Sequence, residues 1–253
     1  MNLLRTEALA VSVGGHTVVS DLSLSVARGQ CWAILGRNGA GKTTLLHTLA
    51  GLRDADGGRL DLDGGPMTAL SRRTIARRLA LMPQDSSDPF PATVLETALI
   101  GRHPHLGVWE WEGPEDRERA RQALAAVGLG ELSDRDVTTL SGGERRRLAV
   151  ATVLTQEPQI YLLDEPVNHL DPHHQVRLLQ LLRTTADNGA VMMSLHDVNL
   201  AARFCDRVLL LYGNGESEHG PTAELLTAER LERLYGHPVR VFRDGNARAF
   251  LPA

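Results

Sequence analysis

Gly36-Arg37-Asn38-Gly39-Ala40-Gly41-Lys42-Thr43 has the form G-x-x-x-x-G-K-[ST] and stands between an apolar run at 31–35 and a helix-like run at 45–49. Glycines let the backbone curl until consecutive N–H groups face one anion, and the helix that follows adds positive partial charge at its N-terminus. The stretch therefore predicts a phosphate cradle. Lys42 would reach the β- and γ-phosphates of ATP, the Thr43 hydroxyl would sit on Mg²⁺, and Thr44 would add a phosphate contact. A plain glycine-rich turn is the simpler reading, but chance produces this pattern in such a chain on the order of 1% of the time. The placement between strand and helix favours the cradle.

Outward from the cradle, short apolar runs recur at 79–82, 160–163, 191–195 and 208–211, each bounded by polar or glycine-rich sequence. Such runs read as strands buried on both faces, and helical stretches separate them. The predicted fold class is α/β, a P-loop NTPase (RecA-like) core with a mostly parallel sheet. Residues 8–13 and 18–26 alternate apolar with small or polar residues, which predicts an antiparallel β layer at the N-terminus. Between Gln84 and Ser141 the strand signals stop, and after Pro83, Pro89 and Pro91 the sequence turns helical, most clearly over 117–127. The expected organisation is a single domain over 1–253. Its core is 1–84 and 142–253, and an inserted α-helical subdomain occupies 85–141.

Ligands of open α/β sheets gather at the carboxyl ends of strands, and the run 160–163 ends in Asp164 and Glu165. Asp164 is the candidate holder of Mg²⁺, and Glu165 the candidate base for the water that attacks the γ-phosphate. On its own an Asp-Glu pair after a strand is more often a solvated turn; the cradle upstream reverses that preference. His196 closes the run 191–195 and should emerge at the same edge, within reach of the γ-phosphate or the attacking water. Gln84 follows the run 79–82, where its amide oxygen could complete the Mg²⁺ shell or position water; an ordinary loop glutamine is the alternative.

Leu140-Ser141-Gly142-Gly143-Glu144 precedes another helix, and Ser141 with Glu144 has capping-box spacing. The paired Gly142 and Gly143 leave the backbone open to an anion, so this helix start could be a second phosphate site. If the two sites lie in different lobes, one chain cannot close both on one nucleotide. A head-to-tail pair of chains could, each clamping ATP between its own cradle and the other's capped helix.

In this order, the cradle, Gln84, Leu140–Glu144, the strand ending in Asp164 and Glu165, and His196 resemble the ATP-binding-cassette ATPases over almost the whole chain. The resemblance implies that these elements are the Walker A motif, Q-loop, signature, Walker B motif with catalytic glutamate, and switch histidine. Asn168-His169-Leu170-Asp171 resembles the D-loop, which in that family communicates across the dimer; Asp171 before Pro172 also suits a plain helix cap. Two positions depart from the family pattern. Val13 stands where members usually carry an aromatic residue to stack on adenine, with His16 as a candidate substitute, and Val167 replaces a small hydroxylated residue.

The chain has 253 residues, 42% hydrophobic and 23% charged, with a formal charge of −4. That balance fits an ordinary globular protein and lacks the basic excess of a nucleic-acid binder, so no nucleic-acid partner is expected. Cys31 and Cys205 form no disulfide framework, and neither a secretory leader nor an apolar run of about 18 residues is visible. A soluble chain is expected, reaching a membrane only by docking at its cytoplasmic (inner) face. The resemblance implies a separate ATPase subunit working with permease subunits and, indirectly, a substrate-binding protein. The candidate permease contact is the region 85–111, with Phe90, His103, His105, Trp109 and Trp111. The run Arg145–Arg147 reads as a solvated helix face. Gly101-Arg102-His103-Pro104-His105, the stretch 165–171 and Leu226-Thr227…Leu234-Tyr235-Gly236 resemble importers of metal chelates, whether ferric siderophore, haem or cobalamin. An exporter ATPase is the alternative, ahead of a soluble cassette ATPase, whose relatives carry coiled-coil insertions or paired cassettes.

Overall fold

The computed structural model describes residues 2–84, 91–245 and 247–253. Pro89 and Phe90 lie outside the described residues.

The N-terminal layer consists of β1 (Asn2–Val13), β2 (His16–Leu22) and β3 (Ser25–Ala27), followed beyond the cradle by β5 (Gly57–Leu62) and β6 (Gly65–Pro66). Between them in sequence come β4 (Cys31–Gly36) and α1 (Lys42–Leu49). The layer is antiparallel throughout, with β1 pairing β2, β3 and β5. The expected strand over 18–26 is two strands. Thr6 causes the break: its Oγ1 donates to the Leu22 carbonyl (2.7 Å) and accepts from the Leu24 N–H (3.0 Å), replacing ladder bonds with side-chain bonds.

After α2 (Arg72–Arg78) and β7 (Leu79–Met82), the helical lobe is built from α3 (Val94–Leu99), α4 (Pro114–Ala126) and α5 (Gly142–Thr155). The chain then returns through β8 (Ile160–Leu163), α6 (Pro172–Asp187), β9 (Ala190–Ser194), α7 (Val198–Phe204), β10 (Arg207–Leu211) and β11 (Ser217–Pro221). It closes with α8 (Thr222–Leu225), α9 (Ala228–Tyr235) and the hairpin β12 (Val239–Asp244) and β13 (Ala247–Pro252). The central sheet runs β11-β10-β4-β9-β8-β7 and is parallel except for the edge strand β11.

This sheet divides the apolar residues between two cores by strand alternation. Trp32 and Ile34 of β4, with Ile160 and Leu162 of β8, pack with α1 and the N-terminal layer. Cys31, Ala33 and Leu35, with Tyr161 and Leu163, pack toward α5, α6 and the rest of the helical side. Burial on both faces is why these strands are unbroken apolar runs. The two cysteines become neighbours, with sulfurs 3.8 Å apart and both thiols free. Among the described residues no helix is long and apolar enough to cross a membrane.

The helical side amends two readings of the sequence. First, α5 packs against both α3 and α4, so the helical cluster runs on past the boundary expected at 141/142. Second, Arg145–Arg147 is not uniformly a solvated face: Arg145 is exposed, Arg147 half-buried and Arg146 buried. Arg145 donates to the Thr138 and Leu140 carbonyls, and Arg147 to those of Val127 and Gly128. Arg146 is buried, its guanidinium set among the carbonyls of Pro83, Gln84, Asp164 and Glu165. Beyond the carboxyl ends of β7 and β8 these carbonyls leave the strand ladder, and an arginine's five N–H groups can satisfy several of them at once.

Val167 also gains a physical account: it is buried in the core of the helical side, where a hydroxyl would need a partner.

Candidate functional site

Gly36 ends β4, and residues 37–41 turn back to start α1 at Lys42. Gly41 is the cap residue of α1 and holds φ at +90°, a left-handed value that side chains disfavour. A Cβ there would also meet Val18 at 2.4 Å, so the loop closes tightly against β2 only because position 41 is glycine. No side chain caps α1, which leaves its first N–H groups facing the loop. Arg37, Asn38 and Gly39 are exposed along the loop, while Ala40 and Lys42 are buried. Lys42 donates Nζ to the carbonyls of Gly36 (2.9 Å) and Arg37 (3.3 Å). Burial pushes its ammonium below the ordinary lysine range, while the nearby Glu165 and Asp164 carboxylates pull the other way.

At the end of β8, Asp164 has no exposed surface. Its Oδ2 accepts from the Thr43 hydroxyl at 2.5 Å and its Oδ1 from the Ser194 hydroxyl at 2.5 Å, while Ser194 Oγ in turn accepts the Glu165 N–H at 2.8 Å. Ser194, the last residue of β9, was not singled out from the sequence; its signal was its place at a strand's carboxyl end, two residues before His196. Thr44, half-buried, follows in the first turn of α1.

Glu165 has φ +51°, an uncommon value for a non-glycine residue, and is buried. Its carboxylate joins residues from three segments. Oε1 pairs with His196 Nε2, and Oε2 accepts from Gln84 Nε2 (3.3 Å) and from Asn168 Nδ2. The structure thus brings Gln84, Glu165 and His196 together beside the Thr43–Asp164 pair. Asn168, read only as part of a D-loop-like stretch, is a further member. Asp171 caps α6 by accepting the His174 N–H at 2.9 Å, which holds its carboxyl below the usual range.

Ser141–Glu144 lies elsewhere. The capping box is formed: Ser141 Oγ accepts the Glu144 N–H (3.2 Å) and the Glu144 carboxylate accepts the Ser141 N–H (2.8 Å). Ser141 and Gly142 are exposed, and no neighbour would meet a Cβ added at Gly142. Among the described residues, no hydrogen bond joins 141–144 to the cradle. Val13 pairs with His16 across the β1–β2 turn, and both are exposed.

A third region lies in the helical lobe. Residues 104–106 are tied down: Arg73 and Arg77 each donate Nε to the Pro104 carbonyl (3.0 and 2.8 Å), and His105 Nε2 meets the Gln156 carbonyl at 2.9 Å. Buried Arg102 secures the same base through Asp116 (2.8 Å) and the Thr155 carbonyl (3.1 Å). Beyond it, Trp109 is 93% exposed and Trp111 86%.

Comparison with known proteins agrees on one class. Residues 19–168 match the family model described as ABC transporter. The chain is 39% identical over 243 residues to the ferric enterobactin transport ATP-binding protein FepC of Escherichia coli (strain K12), covering 95% of this chain and 90% of that one. It is 43% identical over 235 residues to the hemin import ATP-binding protein HmuV of Pseudomonas entomophila (strain L48), covering 90% and 88%. Among solved structures, a metal-chelate type ABC transporter in an inward-facing conformation superposes with a TM-score of 0.87 at 28% identity, covering 100% of this chain and 98% of the other.

Proposed function

This chain belongs to the ABC transporter family, and from that premise we propose that it is the ATP-hydrolysing subunit of a membrane importer for metal chelates. The observation that carries the hydrolytic part is the Glu165 carboxylate, held among Gln84, Asn168 and His196 next to the Thr43–Asp164 pair.

In this reading Gly36–Thr44 grips the phosphates, with backbone N–H groups and Lys42 meeting the negative charge. Glu165 accepts the proton of the attacking water, and His196 and Gln84 orient that carboxylate and the water. Thr43 and Asp164 present hydroxyl and carboxylate oxygens to each other at 2.5 Å, hard donors of the kind Mg²⁺ takes alongside substrate phosphates. Among the described residues there is no cluster of three or more His, Cys, Asp or Glu side chains for a metal, which suits an ion held largely by nucleotide and water. When bound, Mg²⁺ would neutralise charge developing on the phosphoryl oxygens.

The second half of each ATP site is proposed to come from another copy of the chain, through Ser141, Gly142, Gly143 and Glu144. The exposure of Ser141 and Gly142, and the lack of any hydrogen bond from 141–144 to the cradle among the described residues, support a head-to-tail pair, with Asp171 near the shared boundary. The subunit would sit at the cytoplasmic face of the inner membrane, docked on permease subunits and served indirectly by a substrate-binding protein. Trp109 and Trp111 are the proposed anchors of that docking, since exposed tryptophans on a fixed base are typical of binding hot spots. The cargo is drawn from the relatives: a ferric siderophore or haem, with cobalamin as the third chelate of this class.

Reconstitution with its permease subunits tests the proposal. Haem-loaded or siderophore-loaded binding protein should stimulate ATP hydrolysis over the unloaded protein. Equal rates with every loaded and unloaded binding protein would end the importer reading.

A further inference from the structure

Arg146 is buried in α5 two residues beyond Glu144, yet its contacts lie outside the helix. Nε donates to the Glu165 carbonyl (3.0 Å). Nη1 donates to the carbonyls of Pro83 (3.2 Å) and Gln84 (2.6 Å), and Nη2 to those of Asp164 and Glu165 (2.5 Å for the latter). One guanidinium therefore gathers the two residues that follow β8 and the two that follow β7, from a helix whose first turn is Gly142–Glu144.

What it holds is strained. At φ +51° Glu165 sits in a left-handed conformation that is unfavourable for a non-glycine residue and persists only when its surroundings enforce it. The Glu165 carbonyl receives two of these donations, from Nε and Nη2. On the other side of the same residue, in the preceding peptide group, the Glu165 N–H is held by Ser194. Fixing the backbone at both ends fixes where the carboxylate leaves the chain, and so its meeting with Gln84 and His196.

We propose that Arg146 is a positioning residue for hydrolysis. It locks the left-handed backbone of Glu165 and the start of the Gln84 segment to the Ser141-capped helix, so that the base and the helix offered to a second chain keep one fixed relation. The inference rests on the reading of Glu165 as the base. A lysine at this place keeps the charge but has no planar fork, and a glutamine keeps two donors and loses the charge; neither can span four carbonyls.

The test uses the full chain, with steady-state ATP hydrolysis and binding of a non-hydrolysable ATP analogue measured on wild type, Arg146→Lys and Arg146→Gln, each alone and combined with Glu165→Gln. A misplaced reacting group commonly costs up to about 100-fold in rate. Each single variant is expected to lose about 10- to 100-fold in kcat, with KM and analogue affinity within about twofold of wild type, because the phosphate cradle is not touched. In the Glu165→Gln background, the same substitutions should cost almost nothing more, since the group they position is already disabled. Full activity of Arg146→Lys would overturn the proposal. So would an undiminished loss in the Glu165→Gln background, analogue affinity that falls in step with kcat, or failure of both variants to fold; these outcomes leave Arg146 as a support of the fold alone. Unchanged turnover in Glu165→Gln itself would instead remove the reading of the base, and the pattern of singles and doubles separates the two failures.

Discussion

The cradle end of the central sheet and the start of α5 are the two regions proposed to receive phosphate, and they are finished to different degrees. At the cradle, Lys42, Asp164 and Glu165 are all buried, and Thr43, Ser194, Gln84, Asn168 and His196 already engage the two carboxylates. At α5, Ser141 and Gly142 are exposed and the capping box satisfies only its own helix. The first is a site whose chemistry is assembled within one chain. The second is, in the proposed head-to-tail pair, a surface completed by another chain, and its sequence is simple: a cap and two residues without side chains.

The comparison breaks first at Glu165. Glu165→Gln should reduce hydrolysis by about 10²- to 10⁴-fold while ATP still binds, and should accumulate an ATP-bound pair of chains detectable by light scattering. Normal turnover would show that the buried region does not carry the chemistry. Lys42→Ala removes a charge-assisted contact worth about 1.5–3 kcal/mol, so ATP affinity should fall roughly 10- to 100-fold in a calorimetric titration. Substituting Ser141 by a bulky residue, Ser141→Arg, should cost hydrolysis about tenfold or more with monomer affinity for ATP unchanged, as expected when a helix-start donor set is blocked. A parallel collapse of monomer affinity would place both regions on one nucleotide within one chain.

A milder test addresses the cap itself. The Ser141 N–H and hydroxyl hold the Glu144 carboxyl below its ordinary value of 4.5. A carboxyl lowered in the folded state contributes stability that is present above that value and lost as pH falls through the folded one. Thermal unfolding of Glu144→Gln should therefore fall slightly below wild type at neutral pH, with the difference closing as pH falls below the ordinary glutamate value of 4.5. The smallest effect on the nucleotide site is expected at the third region: Trp109→Ala with Trp111→Ala should leave ATP turnover of the isolated subunit unchanged. Association with permease subunits, measured by co-purification, should weaken by roughly tenfold or more.

What was legible in the sequence follows the range of the interactions. Strands β4 and β8 were plain because burial on both faces leaves an uninterrupted apolar run, and the cap at Ser141 because its partner is three residues away. From strand ends His196 was expected on the edge that carries Glu165, whereas Gln84 stayed open against an ordinary loop glutamine until its amide was found donating to the Glu165 carboxylate. Ser194 was passed over because a serine closing a buried strand looks like any small polar residue until the neighbouring strand supplies Asp164. Arg146 was misread for the same reason in stronger form: the carbonyls it serves lie 18 to 63 residues away, and nothing in Arg145–Arg147 marks which arginine turns inward. The break between β2 and β3 depended on Thr6, 16 residues from its acceptor.

Among the described residues, no hydrogen bond joins the base of the tryptophan-bearing loop to the nucleotide site; it is fastened to α2, to the end of α5 and to the start of α4. Changes at 107–112 can therefore accumulate without disturbing the groups that grip and split ATP. Under the docking role proposed for Trp109 and Trp111, selection for a new partner and selection for turnover would act on separate residues, and one engine could be refitted to different membrane subunits by rewriting a single short segment.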